Sequence, residues 1–105
     1  MMALNQLRVV VFQDGGAWVA QGLEHDIGAQ GPDMNTLMRR FRMAIRAELE
    51  ESLRRTGIPF GGIDAAPSYV QSMWKDDAPT FQFSGVVEAD GSHPTRAEYE
   101  MRLAA

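Results

Sequence analysis

The chain has 105 residues, 45% of them hydrophobic, and a formal net charge of −4 at pH 7. This is the size of one ordinary domain with enough apolar residues for a modest core, so residues 1–105 are predicted to form a single folded domain. The acidic balance argues against nucleic-acid binding by the whole surface, and the absence of cysteine excludes disulfides, thiol catalysis and thiolate metal sites. We find neither a membrane-spanning apolar run of roughly 20 residues nor a signal peptide, so we expect a cytoplasmic protein with no membrane contact.

The first elements along the chain are predicted to form a β-hairpin. Residues 8–13 contain the run Val9-Val10-Val11-Phe12, which is typical of a strand covered on both faces. Asp14-Gly15-Gly16 supplies a tight turn, and residues 17–23 return as a second strand that is also apolar on both faces. One helix covers only one face of a sheet. We therefore expect a second copy of the chain to cover the other face, in a homodimer or higher homo-oligomer.

A short third strand and a long helix are predicted next. Residues 27–30 favour a strand, which Gly31-Pro32 ends, and Asp33 is a good helix N-cap because its carboxylate accepts a backbone N–H. Gly57 and Pro59 predict the end of the helix. The apolar positions with helical spacing are Leu37, Phe41, Ala44, Ile45, Leu49 and Leu53.

The second half of the chain has weaker patterns. Residues 67–74 indicate a short helix, residues 80–84 an edge strand, and residues 90–94 a turn or loop. Residues 95–104 fit two structures. Alternation of apolar and polar residues favours a strand, while Thr95 followed by Glu98 fits a capping box and hence a helix; the strand is preferred.

The polar residues predict no catalytic residue, no cofactor and no metal site. Glu24 and Asp26, with Asp14 nearby, could hold a divalent cation, but a solvated loop is the preferred interpretation. His25 and His93 are the only histidines, and they have no zinc-motif spacing. Neither a serine nucleophile elbow nor a phosphate-binding glycine loop is present, so we expect the protein not to be an enzyme.

Three arginines form a stripe beside the apolar face of the long helix. Arg39, Arg42 and Arg46 have helical spacing, whereas Arg40 lies away from them. Such a stripe could contact RNA phosphates or an acidic partner. The alternative, which the frequency of arginine on exposed helices favours, is a solvated face with local pairs such as Arg46 with Glu50.

With these elements in place, the chain resembles the HicB-like antitoxin family. The residues that carry the resemblance are Val9-Val10-Val11-Phe12, Gly16-Ala17-Trp18-Val19-Ala20, Leu23, Gly31-Pro32-Asp33, Leu37, Phe41, Ala44 and Ile45, with a looser likeness at residues 66–74 and 99–104. The resemblance implies an α+β fold with a β-β-β-α-β partial RNase H-like core. In it, one long helix packs on a small mixed or antiparallel sheet, with an extra short helix after it. It also implies homo-oligomers, and neutralisation of a HicA-type mRNA interferase by protein–protein contact.

The chain departs from the family in two respects. No segment after Leu53 indicates the basic DNA-binding helix pair that many members carry, so DNA binding is not expected. Asp33 caps the helix where the family often has threonine, and no set of catalytic carboxylates can be carried over. Two other functions remain open: a small RNA-binding protein that uses the arginine stripe, and a divalent-metal nuclease that uses Glu24 and Asp26.

Overall fold

The computed structural model describes residues 5–78, 85–89 and 95–104. In this part of the chain a five-stranded mixed sheet is combined with one long and one short helix, which confirms the predicted α+β class. The elements in chain order are β1 (Asn5–Asp14), β2 (Ala17–Gly22), β3 (Gly28–Gly31), α1 (Met34–Thr56), α2 (Ser68–Gln71), β4 (Gly85–Ala89) and β5 (Thr95–Leu103).

Strand β1 lies in the middle of the sheet, whose order is β3-β2-β1-β5-β4. It pairs antiparallel with β2 and parallel with β5. At the two edges, β3 pairs antiparallel with β2, and β4 pairs antiparallel with β5. Val9 and Val11 are buried on one face of β1, and Val10 is buried on the other. The prediction that this run is covered on both faces is therefore confirmed. The turn to β2 places Gly15 at φ 64°, a conformation that glycine adopts without a Cβ penalty.

Helix α1 covers one face of the sheet, and both of its ends follow the sequence signals. The Asp33 carboxylate accepts the Thr36 backbone N–H at 2.8 Å. Gly57 adopts the left-handed conformation at φ 75° and donates its N–H to the Leu53 carbonyl at 2.9 Å. Burial of each large side chain on this face contributes about 1.5–3 kcal/mol. The buried residues of α1 are Leu37, Met38, Phe41, Ile45, Leu49 and Ser52.

The opposite face of the sheet is partly covered by the chain's own residues after α1. Ala66 and Val70 pack against Val10 and Leu23, and Phe12, Met73 and Trp74 border this second cluster. Backbone hydrogen bonds hold the covering segment, including Ala66 N–H to the Leu23 carbonyl at 2.9 Å. The chain's own residues therefore cover Val10, where the sequence led us to expect a second copy. Homo-oligomerisation stays a prediction, and the burial of Val10 no longer supports it.

The second half of the chain differs from the predictions in detail. The short helix spans only Ser68–Gln71, inside the predicted residues 67–74. The C-terminal run forms strand β5, as alternation predicted, and not a helix. The predicted edge strand at residues 80–84 and the turn at residues 90–94 lie outside the described residues. Strand β4 at Gly85–Ala89 was not predicted, so the sheet has a strand beyond the expected β-β-β-α-β set. No helix in the described ranges is long and apolar enough to cross a membrane.

Candidate functional site

A groove of about 590 Å³ runs between α1 and the β4–β5 pair, and arginine dominates its lining. Among the described residues it brings the predicted stripe Arg39, Arg42 and Arg46 together with a fourth arginine, Arg96 of β5. The remaining lining residues are Met43, Val86, Val87 and Glu88. The sequence therefore predicted one wall of the groove, and the other wall comes from strands that lie far along the chain.

The packing of α1 on β5 places the arginine stripe above β4. Residues three and four apart share a helix face, so Arg39, Arg42 and Arg46 project from one side of α1. Next to that side, the buried Phe41 ring contacts the Tyr99 ring edge-on, with 6.0 Å between the ring centroids. Together with the other buried residues of α1, this contact orients the helix on the sheet and hence positions the arginines relative to the strands.

Arg42 is held in place by neutral acceptors. It donates to the Tyr99 hydroxyl at 2.6 Å and to the Val86 carbonyl at 3.2 Å, and its guanidinium carbon lies 5.8 Å from the Tyr99 ring centroid. Gly85 leaves room for this arrangement. A Cβ at that position would lie 3.1 Å from the Tyr99 hydroxyl and 3.2 Å from Nη1 of Arg42. Because none of these partners is a carboxylate, the positive charge of Arg42 is positioned but not neutralised.

Two of the other arginines have carboxylate partners. Arg46 lies 3.6 Å from Glu50, the predicted pair, and Arg96 lies 3.7 Å from Glu88. These pairs are about half exposed, and such pairs contribute only about 0–1 kcal/mol. Arg39 is exposed and makes no hydrogen bond or ion pair with the part of the chain that the structure describes. The lining therefore keeps positive charge at Arg39 and Arg42.

The next arginine, Arg40, lies outside the groove as predicted. It donates to the Gln30 carbonyl at 2.9 Å, on the side of α1 that faces β3.

At the start of the helix, hydrogen bonds from Thr36 lower the pKa of the Asp33 carboxyl, and the charges of Arg39 and Arg40 lower it further. The N-terminal turn of α1 thus carries a capping carboxylate that stays ionised beside the arginine stripe.

The acidic residues considered for a metal site have separate partners. Glu24 accepts the Arg8 backbone N–H at 2.7 Å and pairs with the Arg8 side chain, while Asp26 accepts the Gln21 side-chain amide at 2.6 Å. The His25 Nδ1 lies 3.0 Å from the Ile63 carbonyl, and His93 is outside the described residues. Within the described ranges there is no group of three or more His, Cys, Asp or Glu that could hold a metal ion.

Comparison of the chain with protein-family models, curated proteins and solved structures gives no match in any of the three.

Proposed function

We propose that the chain is a non-catalytic HicB-like protein with a partial RNase H-like core. In this proposal it acts as the antitoxin of a type II toxin–antitoxin pair, by protein–protein contact with a HicA-type mRNA interferase. The observation that carries the proposal is the path of the chain: three antiparallel strands, a long helix, and a final strand that returns parallel to β1.

The strand order supports the resemblance in a specific way. Strand β5 pairs parallel with β1, and parallel neighbours need a connection that crosses the sheet. The chain crosses from β3, at one edge, to β5 on the other side of β1 through a connection that contains α1, α2 and β4. With β5 taken as the fourth core strand and α2 and β4 taken as additions, the elements follow one another along the chain as β-β-β-α-β, which supports the proposal. Strand β4, which pairs with β5 at the edge, is an addition to that core.

A contact surface for a basic toxin lies on the sheet face opposite α1. Glu98 and Glu100 alternate with the buried Ala97, Tyr99 and Met101, so their side chains project from that face. Both line a cleft of about 400 Å³ between β1 and the β4–β5 pair. Glu100 is already paired with Arg102 at 3.0 Å, so in this proposal Glu98 is the carboxylate that attracts the positively charged partner. Electrostatic complementarity of this kind speeds association and favours the right partner.

Co-expression with the small basic protein encoded by a neighbouring reading frame tests the proposal. We expect the chain to restore growth of cells that express the toxin and to co-purify with it in a fixed ratio. Glu98→Lys should weaken the rescue, whereas Glu48→Lys on α1, with the same charge change away from the cleft, should not. A toxin that stays lethal in the presence of the folded chain, or a chromosome without a neighbouring toxin frame, contradicts the proposal.

The same proposal includes self-association, which the family resemblance implies. Light scattering of the purified chain should give a multiple of the monomer mass, and a monomer at micromolar concentration contradicts this part. The antitoxin role does not depend on that outcome, because a monomer can also bind one toxin.

A further inference from the structure

Positive charge is concentrated in the α1–β4 groove of a chain that is acidic overall. The net charge of the chain is −4, yet within the described residues the groove has four arginines and a single carboxylate, Glu88. Like charges on one helix face repel one another, so gathering three arginines on one side of α1 carries an electrostatic cost. A basic cleft in an acidic protein instead attracts an anionic ligand and guides it to one place.

We propose that this groove binds the phosphodiester backbone of a single-stranded polynucleotide. The binding is through phosphates and is independent of base sequence. It is separate from the toxin contact, which lies on the opposite face of the sheet, so either proposal can fail without the other.

The spacing of the arginines fits a polynucleotide strand. With a rise of about 1.5 Å per residue, Arg39 and Arg46 lie about 10.5 Å apart along the helix axis. A stacked strand carries one phosphate per roughly 3.4 Å of its axis, so this wall of the groove spans about three phosphates. The groove volume of about 590 Å³ is that of a site for a short ligand segment.

The groove is also preordered for such a ligand. Arg42, in the middle of the stripe, is already held by Tyr99 and Val86, so little side-chain freedom is lost when its guanidinium meets a phosphate. Met43 is 66% exposed beside it and offers a flexible apolar contact for a ribose or a base. A phosphate between Arg39 and Arg42 meets two guanidinium groups that carry no carboxylate partner in the described structure.

Arg46 and Arg96 are ion-paired with Glu50 and Glu88, so a phosphate would have to displace a carboxylate to reach them. The minimum number of strong contacts is therefore two, from Arg39 and Arg42. For single strands each contact adds about −0.7 to the slope of log affinity against log salt, so two contacts predict a slope of about −1.4. Raising the salt from about 50 to about 200 mM should then weaken binding roughly sevenfold.

Fluorescence anisotropy with a labelled oligouridylate tests the proposal. A length of about 12 nucleotides is within the range that single-strand binding domains occupy. The key variant is Arg39→Gln, because Arg39 is exposed and its replacement leaves the core untouched. It should reduce the salt slope to about −0.7, since one phosphate contact is lost. The matched control is Arg55→Gln, which makes the same charge change on the same helix but outside the groove.

Each outcome of this experiment decides for or against the groove. Equal slopes for wild type, Arg39→Gln and Arg55→Gln, or no binding at low salt, overturn the proposal. Equal affinity for polyglutamate also overturns it, because the ligand is then any polyanion. Binding of oligodeoxythymidylate with the same affinity supports contact through the phosphates, which both strands share. Tighter binding of the ribose strand supports the proposal as well and adds a contact to the 2′-hydroxyl.

Discussion

Replacement of Ser52 by alanine tests how the end of α1 is joined to the following loop. Ser52 is fully buried, and its hydroxyl donates to the Leu49 carbonyl at 2.9 Å while it accepts the Phe60 backbone N–H at 2.7 Å. Phe60 is itself buried, and it has a φ of 58°, a left-handed conformation that costs a residue with a side chain about 1–2 kcal/mol. The Ser52 hydroxyl therefore helps to hold the Phe60 backbone in an unfavourable conformation so that its ring reaches the core.

The expected cost of Ser52→Ala follows from these contacts. A buried N–H that loses its acceptor costs about 1–3 kcal/mol. Alanine has a higher helix propensity than serine, which returns up to about 0.5 kcal/mol. The net loss in the free energy of unfolding should be about 1–2 kcal/mol, and the melting temperature should fall by roughly 4–16 °C for a domain of this size.

Urea unfolding followed by circular dichroism measures this loss as a lower midpoint with an unchanged slope. The control is Ser72→Ala, whose exposed hydroxyl donates to the Tyr69 carbonyl at 2.9 Å and whose loss should cost less than about 0.5 kcal/mol. If Ser52→Ala and Ser72→Ala unfold at the same urea concentration, the hydroxyl does not hold Phe60 and the reasoning fails.

Three further changes test the site, the helix start and the second face. Tyr99→Phe removes the hydroxyl that accepts a hydrogen bond from Arg42, and because Arg42 can then bond to water, the free energy of unfolding should fall by only about 0.5–1.5 kcal/mol. Anisotropy should show weaker oligouridylate binding, and unchanged binding would show that Tyr99 does not position Arg42. Hydrogen bonds from Thr36 lower the pKa of the Asp33 carboxyl in the folded protein below its usual value of 3.8. The ionised carboxylate therefore contributes its full stabilisation above pH 3.8 and loses it as the pH falls through the pKa of the folded state. Urea midpoints should therefore fall more steeply below pH 3.8 for the wild type than for Asp33→Asn, and parallel curves would contradict this. Val70→Asp buries a carboxylate against Val10 and should destabilise the fold by roughly 3 kcal/mol or more. Tyr69→Asp, at a side chain that is 66% exposed, should have little effect. Equal urea midpoints for the two variants would show that the segment around Val70 does not cover the sheet face opposite α1.

Local signals predicted the first half of the fold well. The Val9-Val10-Val11-Phe12 run, the glycine turn and the Asp33 cap act on neighbours in the chain, so their structural consequences could be read without knowledge of the tertiary fold. Helical spacing likewise placed Arg39, Arg42 and Arg46 on one face and Arg40 on another, as the structure has them.

The second half was predicted less well because its elements are short and depend on partners far along the chain. The pairing of β4 with β5 decides that Gly85–Ala89 is a strand, and the hydrogen bonds to Leu23 decide that the segment around Ala66 covers Val10. Neither partner is near in sequence, so no local pattern indicated the extra strand or which segment covers the second face.

Local patterns were enough to predict the first hairpin, the limits of α1 and the arginine stripe, because turn geometry, helix capping and helical periodicity act within a few residues. The groove around the stripe depends on contacts between elements that are distant in the chain. Arg96 lies in the lining where β5 pairs with β4, opposite Glu88. Arg42 keeps its place because Tyr99 and Val86 accept its N–H groups and Gly85 leaves room. The two hydrogen bonds of Arg42 join residues more than forty positions apart, a separation that folding bridges and local patterns do not reveal.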